Sequence, residues 1–199
     1  MDLLTAIEGR RSIRRYTDRA LPRDAVERLL TAATWAPSAH NRQPWRFVVI
    51  ASDSVKSALA GAMGERLRAD RLADGDPPDQ VDADAARSYA RITSSPVVLA
   101  VCLSMADMDR YGDTRRKKAE YVMAAQSTAM AVQNLLLAAH AEGLGACWMC
   151  APLFCGDTVR GALELPHDWE PQALITLGFP ANEGKPASRG PLEGVTVWR

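Results

Sequence analysis

Apolar positions recur at helical spacing over about residues 2–8, 23–35, 53–69, 80–92, 117–141 and 154–163, and as short apolar runs over about 46–51, 96–103, 144–149 and 171–179. The first set predicts helices and the second strands, an order that fits an α/β or α+β chain. Between Asp70 and Asp84 the pattern breaks at Gly75, Pro77, Pro78 and a group of aspartates. That stretch is too short to link two domains and reads as a mobile flap. No internal repeat is present, and one domain over residues 1–199 is expected.

The segment at 117–141 differs from the other helices because Tyr121-Val122-Met123-Ala124-Ala125, Ala129-Met130-Ala131-Val132 and Leu135-Leu136-Leu137-Ala138-Ala139 are apolar nearly all round. A helix of that kind is covered on every side. A chain of this size rarely wraps one helix completely, so part of its surface is expected to meet a second copy, with the alanines permitting close approach. Beyond Phe179, glycines and prolines deny regular structure until Val195-Thr196-Val197-Trp198, which has the composition of a strand that adds to a sheet edge.

Charge narrows the chemistry. The chain has 24 Lys+Arg against 24 Asp+Glu, so no basic domain exists to grip a polyanion, and nucleic-acid partners are not expected. Its N-terminus is too short and too charged for a signal peptide, and no uninterrupted apolar run reaches membrane-spanning length. A cytoplasmic protein with no membrane partner is expected. Its four cysteines, Cys102, Cys147, Cys150 and Cys155, sit among apolar neighbours and read as reduced, buried thiols. Cys147 and Cys150 form a C-x-x-C, but residues three apart on a strand point to opposite faces, and no second pair completes a zinc set. No metal is expected.

In a neutral chain, a local concentration of arginine points to a compact anion. In Arg10-Arg11-Ser12-Ile13-Arg14-Arg15 the side chains of Arg10, Ser12 and Arg14 alternate onto one side of an extended segment, a set suited to a phosphate dianion and a polyol. A second cluster, Pro37-Ser38-Ala39-His40-Asn41-Arg42-Gln43-Pro44-Trp45, offers carboxamides at Asn41 and Gln43 that donate and accept at once, as the pyrimidine edge of a flavin ring requires. The pair of clusters suits flavin mononucleotide (FMN). No Ser-His-Asp order, Walker-type loop or G-x-G-x-x-G is present, which removes hydrolase, nucleotide triphosphatase and classical dinucleotide-fold readings.

These clusters, with Gly143-Leu-Gly-Ala-Cys147-Trp148 and a late Lys185-Pro-x-x-Arg189, resemble the flavin-dependent nitroreductase family over nearly the whole chain. Tyr111-Gly112-Asp113, Arg115-Arg116, Leu165-Pro166-x-Asp168-Trp169-Glu170-Pro171 and the closing Val-Trp-Arg resemble one branch more closely. That branch is the C-terminal reductase domain of the bifunctional coenzyme F420:L-glutamate ligase. The resemblance implies an α+β, three-layer fold with a central mixed sheet, built as an intertwined homodimer.

It also implies roles. Arg10, Arg11, Ser12, Ile13, Arg14 and Arg189 would hold the phosphate and ribityl tail, and Ser38, Asn41 and Gln43 would read the ring edge. A backbone N–H at Cys150 or Ala151 would face flavin N5, the atom that carries hydride, with no protein group as catalytic acid or base. His40, Asp70, Arg115 and Arg116 are the substrate candidates. The implied reaction is reduction of the unsaturated precursor of the deazaflavin coenzyme F420. The alternatives are an NAD(P)H-dependent reductase of nitroaromatics or quinones, and a non-catalytic flavin- or deazaflavin-binding protein.

Overall fold

The strand β2 (Val97–Ser104) is buried at every residue and forms the middle of the molecule. In the computed structural model, which describes residues 1–199, it pairs with β1 (Trp45–Ile50) on one side and β4 (Trp169–Gly178) on the other. Beyond β4 lies β3 (Gly145–Met149), giving the order β1-β2-β4-β3. All three pairings are antiparallel. The mixed sheet expected from the resemblance therefore differs in detail: the parallel component is a bridge between Ser12 and Ala146, outside the named strands.

Alternate residues of the sheet feed two cores. Leu99, Val101, Ile175 and Leu177 pack with Leu29, Val132 and Leu135 from α2 (Arg23–Thr34) and α5 (Thr114–Ala141). Val98, Ala100 and Leu174 pack on the opposite face with Leu59, Met63, Ile92 and Val159, from α3 (Asp53–Ala73), α4 (Pro78–Thr93) and α6 (Gly156–Ala162). Helix, sheet and helix make three layers, as the strand period of two requires when both faces are apolar. Pro171 falls where the β2–β4 register shifts between Val101 and Cys102, a place where a residue lacking N–H is tolerated.

The expected flap from Asp70 to Asp84 is not a loop. Asp70 to Ala73 complete α3, Pro78 occupies the first turn of α4, and only a short turn through Gly75 (φ +87°) joins them. The aspartates that look like loop composition instead pair across the helical hairpin, Arg68 with Asp82 at 2.7 Å and Arg71 with Asp76 at 2.5 Å and with Asp84.

Helix α5 starts where the Asp113 carboxylate accepts the Arg116 N–H. It is long and apolar enough to cross a membrane, but nearly half of its apolar stretch is buried within the chain, which marks a core helix. Tyr121, Val122 and Met130 remain exposed on its outer side. The terminal segment is not a strand here: Val195, Val197 and Trp198 stand in solvent, and α1 (Leu3–Gly9) likewise exposes Leu3, Leu4 and Ile7.

Candidate functional site

Leaving α1, residues Arg10 to Tyr16 run along the free edge of β3. The Ile13 N–H donates to the Ala146 carbonyl at 2.9 Å. The Tyr16 hydroxyl bonds the Ile13 carbonyl at 2.7 Å and the Thr176 hydroxyl at 2.7 Å. Ile13 itself is buried against Gly145, where any Cβ would come within 2.7 Å of Ile13 Cγ2. This pins the extended conformation that the alternation predicts. Ile13 is thereby spent on the fold, and its side chain is not available to a ligand. Arg11 turns back, its Nη1 donating to the Glu8 carbonyl at 2.5 Å and the Arg10 carbonyl at 2.9 Å, and so closes the C-terminal end of α1.

Arg10, Ser12 and Arg14 line a cavity of about 290 Å³ together with Arg11, Lys185, Ala187 and Arg189. The returning tail thus brings Lys185 and Arg189 to the first arginine cluster. No carboxylate lines this cavity, so its charge is open to an external anion. A larger space of about 740 Å³ continues from it, sharing Ser12, Arg14 and Lys185 and adding Arg15, Arg87, Arg91, Ser94 and Asn182. Sequence reasoning missed Arg87 and Arg91. Their signal was the i, i+4 spacing on α4, which alone reads as a solvated helix face. Arg87 also pairs with Asp84. Beneath this edge, burial raises the pKa of the Cys147 thiol, opposed by Arg14.

Farther along the β3 edge the chain turns at Cys150 into a 3₁₀ turn, Ala151–Phe154. Ala151 lines a small cavity of about 100 Å³ with Asp70, Arg66, Ser88 and Phe154, so the structure brings one substrate candidate next to the segment expected to face N5. The Asp70 carboxylate is held by Arg66 Nε at 2.7 Å. Cys150 is exposed, contrary to the expectation of four buried thiols, and its sulfur accepts the Trp148 indole N–H at 3.0 Å. Cys102, Cys147 and Cys155 are buried and free, and no cluster of metal-ligating side chains is present.

The second cluster lies elsewhere. Pro44, just before β1, accepts the Ser104 N–H at 2.8 Å, which places the Pro37–Trp45 loop at the opposite edge of the sheet and at the opposite end of its strands. Helix α5 gives the scale. The Ala39 N–H donates to Ser127 Oγ at 3.2 Å, whereas a Cβ on Gly9, beside Arg10, would come within 2.7 Å of His140 Nε2; Ser127 and His140 are about 20 Å apart along the helix axis.

Within the loop, His40, Asn41 and Gln43 all have left-handed backbones, with φ of 50°, 53° and 49°. Such a cluster persists only where its surroundings hold it. The Gln43 N–H donates to Ser38 Oγ at 3.0 Å, and the Gln43 amide reaches Asn41 Oδ1 at 3.4 Å. His40, Asn41 and Gln43 are exposed. Arg115 and Arg116 begin α5 at this same corner; Arg116 pairs with Asp113 and lies 4.9 Å from the Tyr111 ring centre. One chain therefore assembles the basic edge with Cys150, Ala151 and Asp70, and separately presents Ser38, His40, Asn41, Gln43, Arg115 and Arg116.

The chain is similar over its whole length to a Thermus thermophilus protein named NADH dehydrogenase, 32% identical over 223 aligned positions that cover 97% of that protein. It is 30% identical to the 5,6-dimethylbenzimidazole synthase of Rhodospirillum rubrum, over 88% of the chain and 81% of the relative. Among solved structures, a protein from Desulfovibrio desulfuricans described as a nitroreductase, crystallised in complex with FMN, superposes with a TM-score of 0.75 at 32% identity. That match covers 98% of this chain and 95% of the other. The family model described as Nitroreductase family matches residues 7–179. With that span matched on a three-layer α+β fold, this chain belongs to the nitroreductase family.

Proposed function

We propose that this protein is an FMN-dependent oxidoreductase whose two flavin sites are each shared by two copies of the chain. The observation that carries the reading is the carboxylate-free cavity on the basic edge, which Arg10, Ser12, Arg14, Lys185 and Arg189 line together. Those donors fit a phosphate dianion through charge-assisted hydrogen bonds. The solved relative in complex with FMN supports that ligand. Arg87 and Arg91, in the adjoining space, would face the ring and its ribityl chain. FMN when bound supplies two-electron hydride chemistry. The protein's part is to hold the tail, to set positive charge near the N1–C2 edge, and to leave one ring face open to donor and acceptor in turn.

Ser38, Asn41 and Gln43 lie too far around the sheet to join the basic edge of their own chain. We assign them to the ring edge of the flavin held by the partner subunit. Exposed apolar side chains on α1, on the outer side of α5 and in the tail support a homodimer. An apolar groove of about 390 Å³ along the free edge of β1, lined by Val48, Ile50, Val55 and Leu163, matches the strand-like Val195 to Trp198.

NAD(P)H is the proposed donor, supported by the Thermus relative named NADH dehydrogenase. For the acceptor, the narrower reading is the unsaturated precursor of coenzyme F420. Its support is the Arg115-Arg116 pair, which the shared site would bring beside the ring of the other subunit's flavin, where an anionic tail would need it. The broader reading is a nitroaromatic or quinone reductase, favoured by the Asp113 pairing that already occupies Arg116.

The absorption spectrum of the purified protein, with mass analysis of what heating releases, tests the cofactor. Micromolar binding of the deazaflavin by calorimetry, weakened by Arg115→Ala with Arg116→Ala more than FMN binding is, supports the narrower acceptor. No deazaflavin binding, with brisk NADPH-driven turnover of nitroaromatics, supports the broader one.

A further inference from the structure

We propose that Glu120 is a positioning residue: acting through Asp109 and Arg42, it fixes the left-handed backbone that presents Asn41 and Gln43 to the flavin ring edge. This rests on the reading above that the loop faces FMN. Glu120 stands in α5 with only 1% of its surface exposed. Its Oε1 accepts the Asp109 N–H at 3.0 Å, while Oε2 has no partner. A buried carboxylate with half of its accepting capacity unused is a poor stabiliser, since an apolar residue of similar volume avoids the desolvation cost. A role in holding a particular geometry accounts better for its presence.

That geometry is the next link in the chain of contacts. The Asp109 carboxylate meets Arg42 Nη2 at 2.6 Å, and Arg42 sits between the two left-handed residues Asn41 and Gln43. Arg42 and Asp109 are partly solvent-exposed, and an exposed pair alone does little to hold a backbone. With the Asp109 main chain tied to a buried acceptor, its carboxylate is aimed before Arg42 arrives, and less freedom is lost in making the pair. Seven residues farther along α5, Ser127 Oγ takes the Ala39 N–H. The same helix therefore grips the loop on both sides of His40 and Asn41. On its far side Arg46 closes the frame, with Nη1 donating to the Gln43 carbonyl at 3.1 Å and Nη2 meeting Asp107 at 2.9 Å.

The test measures FMN affinity and the bound-flavin absorption spectrum on the homodimer, well below its melting temperature. Glu120→Gln keeps an acceptor for the Asp109 N–H and is expected to stay within about threefold of wild type. Glu120→Leu removes the acceptor and should weaken FMN about tenfold and shift the spectrum, with Glu120→Met as the second variant if leucine does not fold. Arg42→Ala breaks the relay from its exposed end without threatening the core and should match the apolar variant. Their combination should be no more than about threefold worse than either alone, because both cut one path.

Independent, multiplying losses would overturn the proposal. So would an unchanged affinity in Arg42→Ala, or a lowered melting temperature in the Glu120 variants with the spectrum and affinity intact. Failure of the wild-type protein to bind FMN would overturn the functional reading itself, and is told apart because no variant enters that measurement.

Discussion

The β3 edge and the Pro37–Trp45 loop are both sequence clusters that point to one ligand, yet the fold treats them in opposite ways. At the β3 edge the backbone is held by the sheet: Ile13 bonds Ala146, Thr17 bonds Phe179 at 2.9 Å, and Ala181 bonds Arg15 at 3.0 Å. The arginines then need only project. At the loop the backbone is left-handed at three residues and is held by side chains from α5 and β1. A cation clamp tolerates approximate placement because charge acts over distance, whereas a ring-edge reader must aim its amides and so requires a fixed loop. The two also lie at opposite corners of the sheet, which is why the proposed site needs two copies of the chain.

The largest effect is expected where the comparison is most lopsided. Arg10→Ala with Arg14→Ala removes two charge-assisted contacts and should lower FMN affinity by about a hundredfold or more, followed by fluorescence titration. Arg10 is half-buried and Arg14 exposed, and neither belongs to the two cores, so the melting temperature of the apoprotein should hardly move. Unchanged affinity would take the phosphate away from this edge.

A smaller effect should separate the two cavities along that edge. Arg87→Ala with Arg91→Ala, tested by potentiometric titration, should lower the flavin reduction potential, because the charge that develops near N1 on reduction loses its cations. FMN affinity should fall by only about tenfold, since the phosphate contacts remain. An unaltered potential would place these arginines away from the ring.

How much of this was legible in the sequence follows the same division. The alternation of Arg10, Ser12 and Arg14 is a local property of an extended chain, and it showed directly which side chains share a face. The strands were legible to within a residue or two because buried strands are written in continuous apolar runs. Arg87 and Arg91 were not legible as site residues, since their partners Arg14, Arg15 and Lys185 come from distant parts of the chain. The Asp70–Asp84 stretch misled for a related reason. Aspartate, glycine and proline favour loops locally, but here the aspartates pair with Arg68 and Arg71 across a helical hairpin, and Pro78 sits where a helix accepts proline. The burial of Glu120 was invisible for the same cause: on α5 it reads as one more surface charge until Asp109 is brought to it.

The smallest effect concerns the buried thiols. Burial pushes the Cys102 thiol up to about 12 and raises Cys147 and Cys155 above their usual value. These groups stay protonated in the folded chain while unfolded thiols ionise from about pH 9, so the unfolded state binds fewer protons there. Their contribution to stability is complete below that pH and is lost as pH rises further, for Cys102 as pH approaches about 12. The melting temperature should fall between pH 9 and 11, and Cys102→Ala should make that fall shallower. An identical slope in the variant would contradict the burial of Cys102.

The claim that the site is shared is tested most directly by mixing two defective chains. One carries Arg10→Ala with Arg14→Ala, the other Asn41→Ala with Gln43→Ala, and differently tagged copies are co-expressed and the mixed dimer isolated. If each flavin is held by the basic edge of one subunit and the loop of the other, one site in the mixed dimer inherits both defects and the other inherits none. The account predicts that each homodimer binds FMN poorly while the mixed dimer binds one FMN per two chains at wild-type affinity. A mixed dimer as poor as both parents would mean that edge and loop act within one chain, and would contradict the account.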